Sequence, residues 1–351
     1  MDILRGNAVV GQSGGPTAAI NSTLAGVIKG ALKAQKDGYI KTLYGMRNGV
    51  EGFLREDLID LTEIFSDEGK LKTLVTTPAA ALGSCRRKLK DYETDAETYA
   101  QLLEIFKKYD IRYFFYIGGN DSMDTVLKLS DYAASHDYEL RVVGVPKTID
   151  NDLMATDHTP GFGSAAKFVA TSIKEILRDV NVYTMKAVTI VEIMGRDAGW
   201  LTASAALAGI NDGVGPDLVY LPEKVFDKDR FVSDVKSKLD EHPAVLVAVS
   251  EGVRFADGEY VGAGTQSGAV DVFGHKYLSG TGKVLEQIVK AEIGCKVRSI
   301  EFSLTQRCAS HIASLADISE SVAVGRGAVS AGVEGKSGVM ATIDRLIRLL
   351  L

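Results

Sequence analysis

A single loop, PKTIDND (146–152), holds a cation, a hydroxyl and two carboxylates. On an extended segment Asp150 and Asp152 would face the same side, because they are two residues apart. Together with Lys147 and Thr148, they could supply a general base, a metal anchor and a phosphate clamp. An acidic turn without a catalytic role is the alternative reading of this composition.

Two glycine-rich turns are candidates for ligand binding. In GQSGGPTAAIN, Gly14 and Gly15 fall where a strand passes into a helix, and backbone N–H groups at such a place can hold phosphate. The motif matches neither the dinucleotide fingerprint nor the Walker pattern, and a tight turn without a ligand fits it equally well. In IGGNDS, Gly119 precedes Asn120 and Asp121, whose oxygens suit a hard cation such as Mg²⁺. A simple turn and helix cap would use the same residues.

Anion-binding and sugar-binding candidates follow later in the chain. Met194 and Gly195 end an apolar strand, and the planar guanidinium of Arg196 can bind a phosphate. Glu251 ends the strand AVLVAVSEG and could accept hydrogen bonds from sugar hydroxyls or cap the next turn. Three further arginines could bind anions or could be ordinary surface charges: Arg86, Arg298 and Arg307.

These residues follow short apolar runs, which indicates how the fold positions them. NAVVGQ, YFFYIGG, RVVGVP and KAVTIVEI each end in a turn and lead into a helical pattern, and AVLVAVSEG is a fifth run. Such alternation predicts an α/β fold of parallel strands with helices on both sheet faces. Ligands of such sheets bind beyond the carboxyl ends of the strands. The candidate residues should therefore gather at those ends.

Composition limits the class of protein. The chain has 351 residues, 46% hydrophobic and 25% charged, as in a globular enzyme. Its net charge of −6 argues against nucleic-acid binding, which needs a clustered basic face. Three cysteines without metal-ligand spacing predict free thiols in a reducing compartment. Since there is no long apolar run and no signal-peptide pattern, we expect a soluble cytoplasmic protein without a membrane partner.

Taken in order, SGG, GS-x-R, GG-x-D-S, TIDND, MGR, a strand-end Glu and a late QR resemble the phosphofructokinase family over nearly the whole chain. The resemblance implies two Rossmann-like three-layer α/β/α domains with mainly parallel sheets. Residues 1–155, with part of the C-terminal segment, would bind the phosphoryl donor. Residues 156–310 would bind the sugar phosphate, and a helical and strand segment, 311–351, would return to the first domain.

The resemblance also implies roles for individual residues. Asp150 would take the proton from the 1-hydroxyl of fructose 6-phosphate, which Thr148 helps to place. Asn120 and Asp152 would serve the cofactor Mg²⁺. The donor would contact Gly14, Gly15, Arg86, Gly119, Asp121 and Lys147. The sugar phosphate would contact Ile149, Met194, Gly195, Arg196, Glu251, Arg298 and Arg307, with Arg298 reaching in from a neighbouring subunit of a homodimer or homotetramer.

Two positions favour pyrophosphate over ATP as the donor. Members that use ATP resemble GGDGS and GTIDND, with glycine where the α-phosphate must pass, whereas this chain resembles the pyrophosphate users in having Asp121 and Lys147 there. A carboxylate repels and obstructs the α-phosphate, and an ammonium compensates charge on the leaving phosphate. The expected reaction is reversible phosphorylation of fructose 6-phosphate to fructose 1,6-bisphosphate.

Three alternatives stay open on the sequence. An ATP-dependent phosphofructokinase would need the nucleotide to fit past Asp121. A non-catalytic sugar-phosphate-binding relative is suggested by Asn120, where the family usually has Asp, and by Leu304, where His or Tyr is common. A kinase of the GGD type acting on lipid or NAD is disfavoured by the complete TIDND and MGR motifs.

Overall fold

The computed structural model describes residues 4–263 and 278–344. The chain forms two compact units. The first contains residues 1–148, 153–163 and 313–351, and the second contains residues 149–152 and 164–312. The predicted boundaries at 155 and 310 concern ligand-binding domains and stay a prediction. Apart from residues 149–152, the chain passes from one compact unit to the other after residue 163 and after residue 312.

The described part of the first unit contains a six-stranded sheet. Its strands are β1 (Gly6–Gln12), β2 (Ile40–Met46), β3 (Leu58–Asp60), β4 (Ile111–Gly118), β5 (Arg141–Pro146) and β10 (Val339–Met340). They run in the spatial order β10-β5-β4-β1-β2-β3, parallel throughout except for the antiparallel β2–β3 pair.

Helices cover both faces of this sheet. They are α1 (Ile20–Lys36), α2 (Gly49–Leu54), α3 (Leu61–Ile64), α4 (Glu68–Thr76), α5 (Ala96–Lys108), α6 (Asn120–Ser135) and α11 (Leu315–Val333). Alternate residues of β4 point to opposite faces. Tyr113 and Phe115 join the core under α1, α4 and α11, whereas Phe114 and Tyr116 join the core under α2, α5 and α6. The continuous apolar run of β4 therefore reflects burial on both sides.

The second unit is built around a four-stranded parallel sheet in its described residues, in the order β7-β8-β6-β9. Its strands are β6 (Ala187–Ile193), β7 (Leu218–Tyr220), β8 (Ala244–Ser250) and β9 (Lys296–Glu301). Its helices are α7 (Phe162–Val180, in this unit from Ser164 on), α8 (Trp200–Ser204), α9 (Lys228–Glu241) and α10 (Thr281–Glu292), with 3₁₀ helices at Ala205–Gly209, Ser303–Gln306 and Ser310–Ile312. Apolar residues of α9 and α10, among them Phe231 and Leu285, pack with residues of β6 and β8 in one core.

The predicted α/β class with mainly parallel sheets is confirmed. The segment predicted to return as helix and strand contains α11 and β10, and β10 pairs with β5 of the first unit. Its last residues, 345–351, lie outside the described residues. No helix among the described residues is long and apolar enough to cross a membrane.

Candidate functional site

In the first unit, three neighbouring strands end side by side at the glycine turns. The Ser13 N–H, just after β1, donates to the Ile117 carbonyl in β4 (2.8 Å), and the Lys147 N–H, just after β5, donates to the Gly118 carbonyl (2.9 Å). The SGG turn, the Gly119 turn and the start of the TIDND loop are therefore gathered at the carboxyl edge of the sheet, as the sequence predicts.

The loop that carries Arg86 is fastened to the SGG turn. Ser84 Oγ donates to the Gly14 carbonyl (2.6 Å), and the Gly14 N–H donates to the Cys85 carbonyl (3.1 Å). The fully buried Gln12 also accepts a hydrogen bond from the Leu82 N–H (2.9 Å). The Gly14 N–H is thus already hydrogen-bonded. A phosphate on this turn would have to be bound by the other residues of the turn.

Lys147 lies beneath the SGG turn. Its side chain is buried, with 4% exposed, and its Nζ donates to the Gly15 carbonyl (2.7 Å). Gly14 has a φ of 77°, and a Cβ built on it would lie 3.2 Å from Lys147 Nζ, so a side chain there would be strained and crowded. A buried ammonium is costly unless anionic or polar groups surround it. Its position suits an anionic ligand on this turn.

Asn120 and Asp121 begin the 16-residue helix α6. Its N-terminus carries partial positive charge, which favours a carboxylate in the first turn. Asp121 Oδ1 lies 2.9 Å from Lys88 Nζ, a partner that the motifs did not indicate. The side chain of Asn120 is exposed, and its amide oxygen is a hard donor of the kind that Mg²⁺ accepts.

The TIDND loop runs from the first unit, which includes Thr148, into the second, which includes Ile149, Asp150 and Asp152. Thr148 is held by the segment before α7: its carbonyl accepts from Thr159 Oγ1 (2.7 Å), and its N–H donates to the Pro160 carbonyl (3.3 Å). Asn151 has a φ of 56°, in the left-handed region that Asn tolerates better than most residues. The segment is therefore not continuously extended, and the expected same-side alternation of the two aspartates does not apply.

In the second unit, the MGR turn and Glu251 are held together at the carboxyl ends of β6 and β8. Glu251 Oε1 accepts from the N–H groups of Gly195 (3.3 Å) and Arg196 (3.1 Å). Gly195 has a φ of 146°, and a Cβ on it would lie 2.5 Å from the Ala198 carbonyl oxygen. Arg196 itself has a φ of 50°, a conformation that costs free energy and is frequent at functional sites.

Burial perturbs the titration of two carboxyls beside this turn. Loss of hydration raises the pKa of Glu251 to about 8, and the negative charges of Asp150 and Glu192 add to the increase, although the Arg196 and Gly195 N–H groups oppose it. Burial likewise raises the pKa of Glu192, on β6, to about 7. Glu192 Oε2 accepts from the Gly282 N–H at the start of α10 (2.8 Å), whereas its Oε1 is buried without a hydrogen-bond partner among the described residues.

Of the two late arginines, Arg298 lies within β9 and Arg307 lies after it. Arg298 is exposed and is paired in register with Thr189, three residues before the Glu301–Glu192 pair at the carboxyl end. Its level is thus about 10 Å short of that end, at about 3.3 Å per residue. Arg307 comes six residues after the end of β9, directly after the 3₁₀ helix Ser303–Gln306. Arg298 is therefore the one of the two that lies within the strand, below the carboxyl edge at which the MGR turn follows β6.

Sequence reasoning missed Lys88 and Glu192. Lys88 looks like one of several lysines in RRKLK, and only its contact with Asp121 distinguishes it. Glu192 had a usable signal, because it is the one charged residue in the strand AVTIVEI, and a charged group there has to be paired or neutralised when both sheet faces are covered.

Comparison with known proteins shows which family the chain resembles over most of its length. Residues 7–331 match the family model described as Phosphofructokinase. A pyrophosphate–fructose 6-phosphate 1-phosphotransferase of Xanthomonas campestris pv. campestris is 44% identical over 343 residues, covering 97% of this chain and 80% of that protein. A protein of the same name from Halomonas elongata is 42% identical over 342 residues, again covering 97% and 80%. The crystal structure of a pyrophosphate-dependent phosphofructokinase from Marinobacter aquaeolei superposes with a TM-score of 0.84 at 38% identity, covering 97% of this chain and 79% of that one.

Proposed function

The chain belongs to the phosphofructokinase family, and we infer that it transfers a phosphoryl group from pyrophosphate to fructose 6-phosphate. The products are fructose 1,6-bisphosphate and phosphate, and the reaction is reversible. The observation that carries the donor assignment is the ammonium of Lys147, buried against the SGG turn with its Nζ 2.7 Å from the Gly15 carbonyl. Relatives that are 44% and 42% identical carry pyrophosphate in their names.

Asp150 acts as the general base in the proposed reaction. Its carboxylate takes the proton of the 1-hydroxyl while the hydroxyl oxygen forms a bond to one phosphorus of pyrophosphate. The bond from that phosphorus to the bridging oxygen breaks, and phosphate leaves with the electron pair. Thr148 positions the hydroxyl, and its own backbone is fixed by Thr159 and Pro160. Such positioning accounts for much of the barrier reduction in phosphoryl transfer.

Cationic groups compensate the charge of the phosphates. Lys147 and Arg86 lie on loops that are tied to the SGG turn and would bind pyrophosphate together with the backbone of Gly15 and Gly119, while Gly14 would line the turn without donating its engaged N–H. Arg196 would bind the moving phosphoryl group. The oxygen donors of Asp152 and Asn120 fit Mg²⁺, which usually takes one or two carboxylates plus phosphates and water. When bound, Mg²⁺ would add charge compensation on the phosphate oxygens.

The sugar contacts the turn after β6. Glu251 Oε1 accepts from the Gly195 and Arg196 amides, and its Oε2 would bind a sugar hydroxyl. With a pKa of about 8, the carboxyl is largely protonated at neutral pH and can donate as well as accept. Met194 and Ile149 would line the sugar subsite, and Arg307 would bind the 6-phosphate.

Arg298 supports a homo-oligomer, a homodimer at least. It lies mid-strand on β9, an edge strand of the described sheet, and the residue is exposed. Exposed apolar side chains surround the same hollow, among them Tyr183 (51%) and Met185 (54%). A second copy packed there would cover this surface and would receive Arg298 at its own 6-phosphate subsite. Cytoplasmic location is part of the proposal and is supported by the acidic composition and the free thiols of Cys85, Cys295 and Cys308.

The test is to measure fructose 1,6-bisphosphate formed from fructose 6-phosphate and Mg²⁺, with pyrophosphate in one reaction and ATP in the other. Turnover with pyrophosphate alone is the expected result. Turnover with ATP alone would refute the donor assignment while keeping the family chemistry. No product from a folded protein in either reaction would favour the non-catalytic reading.

A further inference from the structure

A short strap of chain, residues 86–91, is held against helix α6 by two lysines. Lys88, on the strap, pairs with Asp121 in the first turn of α6 (Nζ to Oδ1, 2.9 Å). Lys128, on α6, donates to the Leu89 carbonyl (3.2 Å) and pairs with Asp91 on the strap (3.0 Å). The two lysines thus fasten the same strap, but only Lys88 contacts the residue that is expected to select the donor.

The charge of Asp121 creates a difficulty for the proposed donor. A carboxylate beside the donor repels the α-phosphate of ATP, but pyrophosphate also carries several negative charges, and the same carboxylate repels it. Lys88 lies at ion-pair distance and offsets this charge. The hydrogen bond to Asp121 raises the pKa of Lys88, so the ammonium stays protonated.

We propose that Lys88 is a positioning residue for donor selection, which neutralises and orients Asp121 so that this carboxylate obstructs a nucleotide without repelling pyrophosphate. The proposal rests on the proposed function. Lys88 acts through Asp121 and need not touch the donor. It reaches Asp121 from the strap that begins at Arg86, so the charge compensation and the donor-binding arginine are carried by one segment.

The exposure of the pair makes the proposal testable without unfolding the protein. The side chains of Lys88 and Asp121 are 52% and 29% exposed. Exposed ion pairs contribute little to stability, so replacing Lys88 leaves the fold intact. Loss of the Lys88 ammonium is therefore expected to change the binding of the donor and not the stability of the fold.

The experiment is a double-mutant cycle on steady-state kinetics with pyrophosphate, using Lys88→Met, Asp121→Asn and the two together. Lys88→Met is expected to raise the KM for pyrophosphate about tenfold, or about 1.4 kcal/mol, and to leave the KM for fructose 6-phosphate unchanged. Asp121→Asn, added to Lys88→Met, should restore most of that loss, because the unpaired negative charge is then gone.

Lys128→Met is the matched control, because it removes contacts that hold the same strap but leaves the ion pair between Lys88 and Asp121 in place. We expect its effect to be small, and not relieved by Asp121→Asn. Two results would overturn this inference but not the proposed function. One is an equal rise in the KM for pyrophosphate in Lys88→Met and Lys128→Met that Asp121→Asn does not relieve. The other is an unchanged KM for pyrophosphate in Lys88→Met. Absence of pyrophosphate turnover by the unaltered protein would overturn the proposed function and this inference with it.

Discussion

The buried carboxyl of Glu192 makes the stability of the second unit depend on pH. Glu192 is 3% exposed, and burial raises its pKa from 4.5 to about 7. A carboxyl whose pKa is higher in the folded protein than in the unfolded chain binds more protons when folded. Its stabilisation is therefore fully present below about pH 4.5 and is lost as the pH rises to about 7 and above.

The size of this effect follows from the pKa difference. At about 1.36 kcal/mol per pKa unit, the increase from 4.5 to about 7 corresponds to about 3 kcal/mol. A Glu192→Gln variant keeps an oxygen for the Gly282 N–H but does not ionise. Between pH 5 and pH 8 the free energy of unfolding of the unaltered protein should fall relative to that of the variant by up to about 3 kcal/mol.

Urea unfolding at a series of pH values, followed by tryptophan fluorescence, measures this difference. The chain has one tryptophan, Trp200, and it lies in the same unit as Glu192. The signal therefore reports on the unit that carries the substitution. If the unaltered protein and Glu192→Gln show parallel pH profiles from 5 to 8, the argument from burial is wrong.

Glu286 provides a control of opposite sign. Hydrogen bonds from Lys290, Ser299 and Lys283 lower its pKa from 4.5 to about 2. Its stabilisation is present above about pH 4.5 and is lost as the pH falls towards 2. Glu286→Gln should therefore lower stability by a constant amount between pH 5 and pH 8, with the difference shrinking only in acid.

Three other experiments test the proposed reaction. Asp150→Ser should lower kcat by several orders of magnitude and leave binding of fructose 6-phosphate, measured by calorimetry, largely intact; normal turnover would exclude Asp150 as the base. Asp121→Gly combined with Lys147→Gly should raise the KM for pyrophosphate and admit ATP, and unchanged pyrophosphate kinetics would refute the donor argument. If Arg298 serves the neighbouring subunit, a hybrid dimer of one Arg298→Ala subunit and one Asp150→Ser subunit has one intact site. An equal mixture of the two variants should then regain up to about one quarter of full activity. No recovery, with hybrids demonstrated, would refute that assignment.

The sequence was informative wherever one residue type has one physical use. The apolar run YFFYIGG is expected for a strand with both faces covered, and it forms most of β4, with alternate side chains in two cores. The SGG turn needs Gly14 for its positive φ. Such features depend on local chemistry and on hydrophobic pattern, both of which are visible without coordinates.

What escaped the sequence depends on contacts between distant segments. The pairing of Lys88 with Asp121 joins residues 33 positions apart, and nothing in RRKLK identifies which lysine makes it. The spacing argument for Asp150 and Asp152 assumed an extended segment, and that premise does not hold because Asn151 has a left-handed backbone, which no spacing rule anticipates. The proposed role of Arg298 depends on a second copy of the chain, which the sequence only implied through resemblance.

The charges around the donor turn explain why a switch of donor would need more than one residue. Replacing two glycines by Asp121 and Lys147 adds one charge of each sign and leaves the net charge unchanged, but separates the charges in space. The ammonium is buried at the SGG turn, where it can compensate the leaving phosphate, and the carboxylate lies at the start of α6. With either donor the carboxylate is expected to repel phosphate charge, so it selects by obstruction only when its own charge is offset. Lys88 is a cation at ion-pair distance from it. Donor choice in this chain is thus expected to depend on three side chains acting together, so single substitutions should impair pyrophosphate use more readily than they introduce ATP use.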